Sequence, residues 1–189
     1  MNLASTSPQI ESATATQQQF LRFAIAPSLT ALIEIDTALG STAGKPQQQR
    51  IVELINIQID RVVPLPHLPP GVMGVYNWRG EILWLVDLAM LVGTATTTRR
   101  YRSLQPTIIL ASTTEVDGST ARVEDRQERQ IGLVVDEIAE IEWYDRAQIR
   151  PLDPSRAWVR GVWTSTTGAD FLVVDGQAIF DRTDFDADV

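Results

Sequence analysis

The chain has 189 residues, a formal net charge of −8, no cysteine and a single histidine, His67. That inventory excludes a disulfide framework, a thiol nucleophile and a thiolate metal site, and leaves little material for zinc or histidine-based catalysis. Among the 16 basic residues only Lys45 is a lysine, so this acidic chain repels phosphate backbones and nucleic acid is excluded as a partner.

A hydrophobic content of 44% with 21% charged residues suits one ordinary domain or two small subdomains sharing a core. Residues 1–18 are Ser-, Thr-, Ala- and Gln-rich with no apolar secretory segment, and read as a disordered polar tail. The longest nearly apolar stretch, Ile82 to Val92, is interrupted by Asp87 and falls far short of a bilayer span. A cytoplasmic protein with no direct membrane insertion is expected.

In chain order, Phe20 to Ile25 alternates as a first strand, Ala26-Pro27-Ser28 turns it, and Thr30 to Ile35 returns. Residues 36–49 form a flexible loop. Its Gly40-Ser-Thr-Ala-Gly44-Lys45-Pro46 run lacks the four-residue spacer and the hydroxyl residue that a phosphate loop requires, so it reads as a linker. Arg50 to Ile55 fits a helical turn or a strand, and Ile55, Ile57 and Ile59 then alternate with polar residues.

The prolines of Val63-Pro64-Leu65-Pro66 and Leu68-Pro69-Pro70 impose an extended approach. Val72 to Tyr76 reads as a short strand and Ile82 to Val86, an unbroken apolar run, as a fully buried one. Between them Asn77-Trp78-Arg79-Gly80 predicts a tight turn, with Asn77 at its first corner bonding the backbone two residues on and Gly80 taking positive φ. Asp87 is placed to cap a short helix from Leu88 to Val92, stopped by Gly93.

Thr94 to Gln105 is a polar crossing, Pro106 to Ala111 a buried strand, and Ser112 to Arg129 a long exposed hairpin loop. Gln130 to Asp136 returns, Ile138 to Trp143 continues the sheet, Arg146 to Pro151 approaches a second hairpin, and Ile179-Phe180 ends the core. Residues 182–189 make an acidic tail.

That second hairpin repeats the first. Gly161 lies ten positions after Pro151, as Gly74 does after Pro64; Gly161-Val162-Trp163 matches Gly74-Val75-Tyr76, and Phe171 to Asp175 matches Leu83 to Asp87. The second turn, Thr164 to Gly168, carries no arginine. Two related halves, 19–98 and 99–181, of many short strands punctuated by Gly and Pro predict an all-β fold of two small barrels with short helical turns.

Three features compete for a functional role. Asp87, Asp136 and Asp175 each follow an apolar run; they suit turn or helix capping better than an acid–base or cation cluster. His67 reads as a surface residue. Trp78 and Arg79 at a turn tip are residue types that dominate interface hot spots, and Ile51 and Leu54 with Glu53 between them form a second candidate patch.

Together these residues resemble the CheW family of bacterial chemosensory adaptors and the homologous regulatory domain of CheA kinases. The resemblance covers residues 19–181 and rests on Phe20-Leu-x-Phe-x-Ile25, Ile51-x-Glu53-Leu54, Pro69 through Gly74-Val75, Asn77-x-Arg79-Gly80, Val86-Asp87-Leu88, Ile131 to Asp136 and Ala147 to Pro151. It implies two pseudo-repeated five-stranded SH3-like β-barrels sharing a core, no catalysis and a bridging role; no cofactor and no metal are expected. It implies as partners a CheA-like histidine kinase regulatory domain and the cytoplasmic tip of a methyl-accepting chemoreceptor. Arg79, with Trp78, Asn77 and Gly80 beside it, matches the arginine that couples both, and Ile51, Glu53 and Leu54 match part of the kinase-facing element. The chain departs from the family pattern in its insertions at 36–49 and 112–129, in Trp78 where leucine is usual, and in Trp84 where proline is usual. These departures point to a paralogue serving a pilus or phototaxis array. The competing expectation is an unrelated β-barrel module that binds a small ligand or peptide.

Overall fold

Period-two alternation of apolar and polar side chains dominates the chain, and the computed structural model turns it into strands. The structure describes residues 17–35, 48–94, 101–152 and 158–182. Of the expected tail 1–18, loop 36–49, insertion 112–129 and acidic tail 182–189, residues 1–16, 36–47, 115–126 and 183–189 lie outside the described residues, whereas Gln17 and Gln18 open β1, Gln48 and Gln49 open β3 and Arg182 ends α2.

Along the chain come β1 (Gln17–Ala26), β2 (Leu29–Glu34), β3 (Gln48–Gln58), a 3-10 turn (Ile59–Arg61), β4 (Val72–Trp78), β5 (Glu81–Asp87) and α1 (Leu88–Leu91). There follow β6 (Leu104–Thr114), β7 (Gln127–Val134), β8 (Glu137–Asp145), a second 3-10 turn (Arg146–Gln148), β9 (Arg150–Pro151), β10 (Val159–Thr164), β11 (Asp170–Val174) and α2 (Gly176–Arg182). The fold is all-β. One sheet has five strands in the order β3-β6-β7-β5-β4, the other six in the order β8-β1-β2-β11-β10-β9.

Both sheets use one wiring. In the five-stranded sheet the β4–β5 hairpin pairs parallel to β7 through β5, and β7 pairs antiparallel to β6, which pairs antiparallel to β3. In the other, the β10–β11 hairpin pairs parallel to β2 through β11, β2 antiparallel to β1, and β1 antiparallel to β8. The second unit is therefore a circular permutation of the first: the places of β6 and β7 are filled from the chain's beginning. Strands from both sequence halves, 19–98 and 99–181, enter each sheet, so the sheets do not follow that division.

The apolar faces sort into three clusters. Leu21, Phe23, Ala31, Ile33 and Val174 of the six-stranded sheet meet Val86, Ile108, Leu110, Ile131 and Leu133 of the five-stranded one, with Leu88 of α1 and Ile179 and Phe180 of α2 between them. This shared core joins the two units. Each sheet also curls around a smaller interior of its own, Ile57, Leu83, Leu85, Ile109 and Val134 in one and Phe20, Leu32, Tyr144 and Val173 in the other. A bridge between Val63 and Val75 ties the chain just after β3 to β4, the strand at the opposite end of the five-stranded sheet.

Several expectations are refined. Arg50 to Ile55 is strand, because it pairs with β6 on one ladder that runs on through Ile57, with one bulge. The 112–129 insertion begins as strand, with Ser112 opposite Arg129 and Thr114 opposite Gln127. Ile179 and Phe180 lie on a helix, α2, whose cap is Asp175.

Candidate functional site

The β4–β5 hairpin closes through a two-residue loop, Arg79-Gly80, since Trp78 and Glu81 still pair. Both loop residues have positive φ, 54° at Arg79 and 88° at Gly80, the pattern of the primed turns that suit a twisted hairpin. Asn77 Oδ1 accepts the Gly80 N–H at 3.2 Å, three residues on instead of the expected two, because Asn77 still belongs to β4 and the loop begins at Arg79. Glycine is at ease in this region; a left-handed arginine costs about 1–2 kcal/mol.

The Arg79 side chain is held from two sides. Nη2 donates to Glu53 on β3, with 3.0 Å to Oε1 and 2.9 Å to Oε2. Its guanidinium carbon lies 4.8 Å from the centre of the Trp78 ring, within cation–π range. Even so, the Arg79 side chain is 66% exposed. Trp78 is half-buried and packs against the interior of the five-stranded sheet. The tip thus does not hold out both side chains: Arg79 projects and Trp78 supports it.

The second candidate patch divides. A bulge in β3 between Ile51 and Glu53 breaks the simple alternation of faces. Ile51 packs against the shared core, Val52 against the five-stranded sheet's interior, Glu53 reaches Arg79, and Leu54 is exposed. The structure therefore gathers Asn77, Trp78, Arg79, Gly80 and Glu53 at one place and leaves Ile51 and Leu54 outside it.

Sequence reasoning passed over three apolar residues. Ile82, expected to be buried, is 72% exposed, because β5 runs past the start of its pairing with β7 at Trp84. It stands opposite Asn77 and gives the tip an apolar flank. Ile141 and Trp143 project from β8, the end strand of the six-stranded sheet, and are 55% and 58% exposed. Their alternation with Glu140 and Glu142 was the available signal: two apolar residues on one face of a strand that reads otherwise as acidic.

The three aspartates have separate duties. Asp87, fully buried, accepts the Met90 N–H at 3.0 Å and the Tyr101 hydroxyl at 2.7 Å. Asp175 accepts the Ala178 N–H at 3.2 Å in the same role for α2. No helix follows Asp136; it links β7 to β8, and its amide donates to the Ala24 carbonyl at 2.8 Å. Among the described residues no three acidic or histidine side chains gather as a metal site, and no helix is long and apolar enough to cross a membrane. His67 is exposed in the proline approach. The turn of the second hairpin, Thr164 to Gly168, has no arginine, and Arg150 of β9 reaches its start, where Nη2 donates to Thr164 Oγ1 at 3.1 Å.

The profile of the CheW-like domain matches residues 47–184. The match begins at β3 and omits β1 and β2, although these complete the six-stranded sheet. Among solved structures the chain is similar to the scaffolding protein TtCheW from Thermoanaerobacter tengcongensis, with a TM-score of 0.56, 18% identity and 84% of each chain covered. That likeness concerns the fold. No curated protein sequence matches the chain.

Proposed function

The chain belongs to the CheW-like domain family, and from that premise we propose that it is a non-catalytic cytoplasmic adaptor that couples a methyl-accepting chemoreceptor to a CheA-type histidine kinase. The observation that carries this reading is Arg79. An arginine in a left-handed loop position is disfavoured on its own account, and such outliers persist where the side chain has a use. Here the strain sets a largely exposed guanidinium, backed by the Trp78 ring, at the end of a stiff hairpin whose other face exposes Ile82. A cation on an aromatic, rigid support is a protein-docking geometry. Contacts of this size give modest affinity, which an array raises through multivalency.

The test is co-purification with the kinase regulatory domain and with the receptor tip. Arg79→Glu is expected to leave the protein folded, since the side chain projects, and to reduce capture of at least one partner. Unchanged capture of both would remove the hairpin from the function.

A further inference from the structure

The arginines of this protein differ in how completely they are used. Arg22 lies against two carboxylates, Glu140 and Glu142, and Arg160 bridges Glu34 at 2.7 Å and Asp175 at 3.7 Å. Among the described residues Arg79 has one carboxylate, Glu53, engaged through Nη2 alone. Arg50 has there a single carboxylate too, Glu128, but it extends from a strand with no ring contact. Arg79 alone among these combines a left-handed backbone, an aromatic face and a side chain 66% exposed. Among the described residues no acceptor is bonded to its Nε or Nη1, which leaves both for a second acceptor.

We propose that Trp78 is a positioning residue that holds the Arg79 guanidinium flat, so that its unused donors receive a carboxylate from the docking partner. This rests on the adaptor reading and adds the chemistry of the contact. Trp78 is fixed by its packing on the interior of the five-stranded sheet, so its ring is a rigid support. Covering one face of the guanidinium removes water from it and strengthens hydrogen bonds formed at its edge. Glu53 fixes rotation in the plane of the fork, and the planar fork favours a carboxylate over a point anion. Trp78 thus acts on the partner through Arg79 and need not touch it.

A double-mutant cycle separates this role from simple packing. Binding of the CheA-type kinase regulatory domain and of the receptor-tip segment from the same cells is measured by calorimetry. The native chain, Trp78→Leu, Arg79→Gln and the double variant are compared. Trp78→Leu is expected to weaken the tighter of the two complexes about ten-fold, Trp78→Phe by less, and Trp78→Leu to have no further effect once Arg79 is glutamine. In the free protein the Arg79 Nε–H resonance is expected to carry a ring-current shift that Trp78→Phe reduces. This keeps the idea testable where Trp78→Leu fails to fold. Equal affinity for native and Trp78→Leu, the same loss in both Arg79 backgrounds, or an Arg79 resonance blind to the ring overturns the proposal while leaving the adaptor reading in place. No binding of either protein by the native chain overturns both.

Discussion

At Arg79 backbone and side chain pull in opposite directions, and the sizes of the effects decide what a substitution does. The left-handed conformation costs about 1–2 kcal/mol for a residue with a Cβ. The exposed pair with Glu53 returns about 0.2–1 kcal/mol and the stacking on Trp78 about 0.5–1 kcal/mol. Arg79→Gly therefore removes a strain and two contacts of similar size. Denaturant unfolding is expected to show stability within about 1 kcal/mol of native, while partner capture is lost. A large loss of stability would mean that the arginine is there for the fold.

A second residue-scale expectation concerns Tyr144 and Glu142. The Tyr144 hydroxyl donates to Glu142 and holds that carboxyl below its usual range, with Arg22 assisting and partial burial opposing. Burial, and then Glu142 itself, pushes the Tyr144 hydroxyl up. A lowered carboxyl contributes stability above its unfolded value, near 4.5, and loses it as pH falls through the folded value. A raised phenol contributes fully below its unfolded value, near 10, and loses that contribution as pH rises toward the folded one. Tyr144→Phe is expected to flatten the alkaline limb of the stability–pH curve and to weaken the acid limb, read from thermal unfolding at fixed ionic strength. An alkaline limb unchanged by Tyr144→Phe would remove this pair as its source.

Among the elements, the two hairpins are the same device built twice. Each carries a bulge at its glycine, between Val72 and Gly74 in one and between Val159 and Gly161 in the other. A Cβ on Gly74 would lie 2.2 Å from the Val63 carbonyl oxygen, and one on Gly161 2.3 Å from that of Arg150. These are backbone atoms held by pairing, so they cannot yield cheaply. Alanine at either position is expected to cost more than about 2 kcal/mol, with comparable losses at the two sites, measured by denaturant unfolding. A mild effect at one site alone would break the equivalence. The hairpins were legible in the sequence because glycine, proline and a repeated apolar run mark them locally. The β3 bulge was not: period-two reading cannot see an extra residue, so Ile51 and Glu53 were grouped although they pack in different places. Ile82 is exposed for a related reason that the sequence does not carry, since an apolar run does not reveal where the neighbouring strand begins.

For the whole molecule the permuted wiring makes the β1–β2 hairpin part of the second unit. β2 lies beside β11, and Glu34 at its end is bonded by Arg160 at 2.7 Å. Duplication was visible in the sequence, but this partition was not, because a parallel pair between chain ends leaves no local mark. A fragment limited to residues 47–184 would lack β1 and β2, baring β8, β11 and the shared core. It is expected to show no cooperative unfolding, whereas a chain beginning at residue 17 unfolds cooperatively; a cooperative transition in the shorter fragment would refute the joint core. The central claim, that the Arg79 hairpin is where a partner docks, is tested most directly by amide chemical-shift mapping as kinase regulatory domain or receptor tip is added. The account predicts the largest changes at Asn77 to Gly80, Glu53 and Ile82 with at least one of the two. Saturable binding of both that leaves those resonances unmoved would contradict it.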